Sequence, residues 1–134
     1  MLIRPRPVVR LLTVAELPPA GDPRWADLLS PAELAFCTSL ARVTDHLAAR
    51  AAGKQAVRAV LGLPPQTWPE RYLAGAGAPR GHDVEIHRVS GSAPQVVLSG
   101  DAQRWRRALG LPPPGVSLSH AAGYAAALAW LLAP

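Results

Sequence analysis

Ser30-Pro31-Ala32-Glu33 opens the segment that most constrains what this chain can fold into. The serine is placed as a helix N-cap, the proline sits at the first helical position, and the glutamate three residues on closes a capping box. A helical pattern follows as far as Leu61, where Gly62, Pro64 and Pro65 supply the stop. One long helix and two stacked ones both satisfy it. Leu40, Val43, Leu47 and Ala51 make its apolar face, while His46, Arg50 and Lys54 recur every fourth residue and form a stripe of cations on another side.

The rest of the chain is arranged around that helical segment. Val8 to Thr13 is a short β-branched and apolar run with Pro-rich flanks, which predicts a first strand. A Pro/Gly loop from Pro18 to Pro23 precedes Trp25, Leu28 and Leu29, which predict a helical turn anchored on the core. Gln66 to Gly81 is loop-like, with Trp68, Tyr72 and Leu73 available to pack back. Asp83 to His87 alternates polar and apolar, and Gly91-Ser92 separates it from Gln95 to Leu98, predicting a β-hairpin. Asp101 to Leu109 is helical by pattern and ends at Gly110. In Val116 to Leu132 the Ser-Leu-Ser-His alternation suggests a strand, whereas the Ala and Leu of the second half favour a helix by propensity.

A length of 134 residues suits one hydrophobic core, so residues 1–134 are read as a single α+β domain. With 49% hydrophobic and 17% charged residues, the chain can offset its ordering entropy by burial. The net charge is +5, and Lys54 is the only lysine among 14 basic residues. The arginines are scattered and carry no aromatic interleaving, which argues against nucleic acid and for an acidic protein or a nucleotide-like small molecule. Cys37 stands alone in a helical pattern and reads as a buried thiol in a reducing compartment. The N-terminal Arg and Pro residues lack the apolar core of a signal peptide, and the run from Ala121 to Ala133 is too short to span a bilayer. These features predict a cytoplasmic protein with no membrane contact.

Three segments, in this order and spacing, carry a family resemblance. They are Arg50-Ala-Ala-Gly-Lys54-Gln55-Ala56, then Asp83-Val84-Glu85-Ile86 before Gly91 and Pro94, then Val116-Ser117-Leu118-Ser119-His120 with Tyr124-Ala125-Ala126. Together they resemble the acyl-carrier-protein synthases, the 4′-phosphopantetheinyl transferases, over about residues 30 to 132. The resemblance implies an antiparallel sheet packed with a long helix, with strands on both sides of the His120 turn, against the helical propensity of Ala125 to Leu132. It also implies a homotrimer with sites between subunits. The implied activity moves phosphopantetheine from coenzyme A to a serine of an apo carrier protein, releasing 3′,5′-ADP. On this pattern His120, Lys54 and Gln55 take catalytic positions, and Arg50, Lys54 and Ser119 take substrate-binding positions.

The family holds magnesium with an aspartate in the first strand and a glutamate directly after the motif lysine. This chain has Arg10 or Leu11 at the first position and Gln55 at the second. An amide carbonyl is a poor substitute for two carboxylates toward a cation that favours charged oxygens, and Glu16, Asp22 and Glu85 are the acids left to compensate. The cationic half is intact: a guanidinium and an ammonium can grip phosphates, and an imidazole can exchange a proton. Asp45 and His46 read as helix surface, and His82 and His87 as surface or strand residues that make no zinc site.

Three functions fit these residues. One is a working transferase in fatty-acid or polyketide-type biosynthesis. Another is a metal-independent enzyme on the same scaffold, for example a cyclase or isomerase of a polyketide-like substrate, in which His120 and Gln55 orient or polarise the substrate. The third is a non-catalytic binder of an acidic carrier protein through Arg104, Arg106 and Arg107.

Overall fold

A computed structural model describes residues 6–63, 82–88 and 91–132. Strand β1 (Val8–Thr13) leads through a single 3-10 turn (Val14–Glu16) to α1 (Trp25–Leu28), α2 (Pro31–Thr38) and α3 (Val43–Val60). Strands β2 (Val84–His87) and β3 (Gln95–Leu98) follow, then α4 (Gly100–Ala108), β4 (Pro114–Ala121) and β5 (Tyr124–Leu131). β1, β5 and β4 form one antiparallel sheet with β5 in the centre, and β2 and β3 form an antiparallel pair.

The first strand, the hairpin, the short turn at Trp25 and the helix of the arginine-rich segment stand where the sequence places them. The loop from Gln66 to Gly81, with Trp68, Tyr72 and Leu73, lies outside the described residues. The long helical segment is two helices. The capping box at Ser30 is fully formed, with the Glu33 amide donating to Ser30 Oγ and the Ser30 amide donating to Glu33 Oε1. The break comes at Arg42, whose backbone is left-handed at φ 56° and ψ 53°. That conformation is costly for a residue with a Cβ and cannot continue either helix.

α3 lies across one face of the three-stranded sheet, and small residues on both partners make the approach possible. Ala48 and Ala49 pack against Ala125, and Ala52 and Ala56 join Val116, Ala127 and Ala129 in the main core. Gly53 marks a tight point of this packing: a Cβ there would come within 2.5 Å of Ile86 Cδ1 and 2.8 Å of Leu118 Cδ2.

The same packing corrects the helical propensity of Ala125 to Leu132. Ala125, Ala127 and Ala129 are buried at a spacing of two beneath α3, and β5 pairs along both of its edges. Helix preference amounts to only about 0.5 kcal/mol per residue, which a two-sided ladder and a buried face outweigh. The opposite face of this sheet carries exposed Val9, Leu11, Tyr124 and Leu128.

Candidate functional site

α3 meets the end of α2 at Arg50 and, one helical turn earlier, the end of β4 at His46. This arginine is only 2% exposed, although its side chain is cationic. Its guanidinium carbon sits 5.0 Å from the centroid of the Phe36 ring, a cation–π contact that α2 brings over the helix. Its Nε and Nη2 are buried without a hydrogen-bond partner among the described residues. Burial pulls the Arg50 pKa down, while Cys37 and Glu33 oppose the shift. A guanidinium remains charged under such conditions.

One helical turn before Arg50 stands His46, and its ring meets the ring of His120 edge to face, with centroids 4.7 Å apart and planes at 75°. His120 Nδ1 lies 3.8 Å from Asp45 Oδ2. The alternation of β4 turns Val116, Leu118 and His120 toward α3 and leaves Ser117 and Ser119 on the outer face. Arg50 and His120 therefore share a region of the molecule, whereas Ser119 belongs to the other side of the sheet. Burial lowers the His46 pKa, and the charges of His120, Arg50 and Arg88 lower it further against the opposing influence of Asp45.

Lys54 is engaged elsewhere. Its ammonium is 2.6 Å from Glu33 Oε1 and donates to the Leu28 carbonyl at 2.8 Å, and both members of the ion pair are 2% exposed. Glu33 Oε2 also accepts from the Ile86 amide at 3.0 Å. Ser30 Oγ donates to Glu85 Oε2, which His87 Nε2 approaches at 3.0 Å. This network ties α1, α2, α3 and β2 together. The stripe of cations on α3 is thus buried at Arg50 and Lys54: α2 lays Phe36 over the first and supplies Glu33 as the counter-charge of the second. Gln55, next along, is half-buried.

The carboxylates that could replace the family's magnesium ligands are either committed to other partners or exposed. Asp22 accepts two side-chain hydrogen bonds from Arg24, which with a further backbone bond hold its pKa down at about 2. Glu85 is taken up by Ser30 and His87, and Glu16 is exposed in the turn after β1. Among the described residues no group of three His, Cys, Asp or Glu is placed to hold a metal ion. An amide at Gln55 with Arg10 and Leu11 on β1 does not make a donor set for magnesium.

The sequence pattern contains His46 in its stripe, yet read alone that residue looks like helix surface. Its packing on His120 depends on a strand seventy-odd residues away, which helical spacing cannot reveal. Phe36, brought over Arg50 by α2, joins the site through a packing that helical spacing does not reveal either. Glu33 was legible as a cap, and its second role as the partner of Lys54 was not.

No family model matches the chain. A holo-acyl-carrier-protein synthase of Moorella thermoacetica is 39% identical over 104 residues, covering 78% of this chain and 73% of that protein. A holo-acyl-carrier-protein synthase structure from Neisseria meningitidis superposes with a TM-score of 0.71 at 18% identity, covering 95% of this chain and 97% of the other. The Helicobacter pylori synthase in complex with coenzyme A gives a TM-score of 0.70 at 19% identity, covering 95% and 100%. The fold is therefore that of these synthases. No described helix is long and apolar enough to cross a membrane. With the ordered sequence trio, the α3-on-sheet architecture and this level of identity in hand, the chain belongs to the holo-acyl-carrier-protein synthase family, as a phosphopantetheinyl-transferase-like protein.

Proposed function

We propose that this protein binds coenzyme A at Arg50 and His120 and serves as a 4′-phosphopantetheinyl transferase toward an acyl carrier protein, in fatty-acid or polyketide-type biosynthesis. The observation that carries this reading is the guanidinium of Arg50, buried with two nitrogens unpartnered among the described residues. An unsatisfied buried charge is expensive, and a phosphate oxygen would satisfy it by a charge-assisted bond. The relatives named for this activity and the coenzyme A complex of a structural neighbour support the same ligand.

In the transfer, a carrier-protein serine oxygen attacks the β-phosphorus of coenzyme A. The bond from that phosphorus to the bridging oxygen breaks, and 3′,5′-ADP leaves. Arg50 neutralises phosphate charge, and His120 exchanges a proton with the reacting groups. Gln55 contributes a neutral amide beside the phosphates. Lys54 acts as a positioning residue, since its ion pair with Glu33 fixes α2 over α3 and so holds Phe36 on Arg50. A homotrimer fits the exposed apolar face of Val9, Leu11, Tyr124 and Leu128. In such an assembly Ser119, on that face, would contribute to a neighbouring subunit's site. Light scattering in solution distinguishes a trimer from a monomer.

The donor set at Gln55, Arg10 and Leu11 favours a second reading, in which the scaffold serves metal-independent chemistry on a polyketide-like substrate or binds a carrier protein without catalysis. One experiment separates the readings. The chain and a Gln55→Glu variant are incubated with coenzyme A, magnesium and apo carrier proteins, and the carrier is weighed by intact-protein mass spectrometry. A phosphopantetheine mass increase with the unaltered chain supports the transferase. Its absence, with coenzyme A still bound, moves the protein to the second reading.

A further inference from the structure

We propose that His46 is a further anion-binding side chain of this site, neutral when the site is empty and charged when a phosphate enters. The inference rests on the coenzyme A reading and deepens it. His46 occupies the α3 stripe one turn from Arg50, and its ring is held edge to face by His120 at 4.7 Å. The half-buried imidazole therefore packs against the strand-end histidine one helical turn from a guanidinium whose Nε and Nη2 have no hydrogen-bond partner among the described residues.

The groups acting on His46 are Asp45 and Arg50 of its own helix, His120 of β4, and Arg88 after β2. All except Asp45 disfavour a second positive charge there, as does burial. An entering phosphate reverses that balance, because it supplies negative charge facing the imidazole and removes the cost of a lone cation. His46 then takes up a proton and donates a charge-assisted hydrogen bond. Since the bound-state pKa exceeds the free-state one, affinity gains from His46 at low pH and loses that gain as pH rises through the bound-state value. Phosphate recognition thus acquires a pH-dependent component, additional to Arg50.

Calorimetric titration of the full chain with coenzyme A, in buffers of different ionisation enthalpy, reads proton uptake directly. The unaltered chain is expected to take up more protons than His46→Phe, which keeps a ring against His120 but cannot ionise. Near pH 6 the variant should bind about tenfold more weakly, and at about pH 8.5 the two should bind alike. Equal proton uptake, or a loss of affinity that is the same at both pH values, overturns the role of His46 while leaving coenzyme A binding intact. Inorganic phosphate is titrated in parallel. Uptake dependent on His46 with phosphate but no binding of coenzyme A keeps the anion pair and overturns the coenzyme A reading; binding of neither overturns both.

Discussion

Lys54 Nζ lies 2.6 Å from Glu33 Oε1 in a place where both side chains are almost completely shut off from solvent, so the helix cap of α2 is also the counter-ion of α3. Burial lowers the Lys54 pKa, and Glu33 opposes the shift only in part. Truncating the carboxylate leaves an ammonium in the core with less compensation and also opens the capping box. Glu33→Ala should cost about 3–5 kcal/mol of folding stability, measured as a fall in denaturant midpoint. Replacing both members, as Glu33→Leu with Lys54→Met, should cost much less than the single change. If the two single variants instead add in a double-mutant cycle, the pair is not coupled.

Arg50 presents the opposite balance, since its charge is buried without full hydrogen bonding among the described residues. Arg50→Met keeps an unbranched apolar stem beside Phe36 and removes the unsatisfied nitrogens. The variant should be more stable by about 1–3 kcal/mol and should lose coenzyme A binding, a separation of stability from function. Arg50→Lys keeps the charge but loses the planar fork, and should bind at least about tenfold more weakly. Thermal unfolding and titration calorimetry on the same preparations test the pair. A destabilised Arg50→Met would show that the guanidinium serves the fold rather than a ligand.

Local chemistry wrote much of the fold into the sequence. Ser30, Pro31 and Glu33 mark a helix start by backbone hydrogen bonding within four residues, and β-branched alternation marks the hairpin at Val84–His87 and Gln95–Leu98. Two features were not legible in this way. The alanines of β5 favour a helix on their own and become a strand because β1 and β4 flank them and α3 needs small residues beneath it. Arg50 and Lys54 read as one cationic stripe, but what distinguishes them is Glu33, which neutralises the second and leaves the first unpartnered among the described residues. The family pattern points to Arg50 and His120, while the side chains packed around them come from distant segments.

Beside His120, the β4–β5 turn carries a conformational cost that a single substitution should remove. Ala122 has φ 52° and Gly123 φ 81°, the left-handed pair of a type I′ turn. Glycine adopts this readily, whereas alanine suffers from its Cβ. Asparagine tolerates the conformation and is favoured before glycine in such turns. Ala122→Asn should stabilise the protein by about 0.5–1 kcal/mol, seen as a higher unfolding temperature, without altering the pairing of His120 with Ala125. An unchanged or lower unfolding temperature would remove turn strain as a factor.

The depressed pKa of His46 also has a consequence for the protein without ligand. Burial, His120, Arg50 and Arg88 hold the folded-state value below the ordinary 6.5. Between the folded and unfolded values the unfolded chain binds more protons, so stability rises with pH across that window and falls as the solution is acidified below about 6.5. Acid thus destabilises the empty protein through the same imidazole whose protonation strengthens phosphate binding. Denaturant unfolding as a function of pH should show this slope in the unaltered chain and a flatter one in His46→Phe, which cannot bind the proton. Saturating coenzyme A should reverse the contribution, because the liganded folded state then holds the proton more tightly than the unfolded chain does. A slope that is identical in the two proteins would assign the acid sensitivity to other groups and detach His46 from the charge balance of the site.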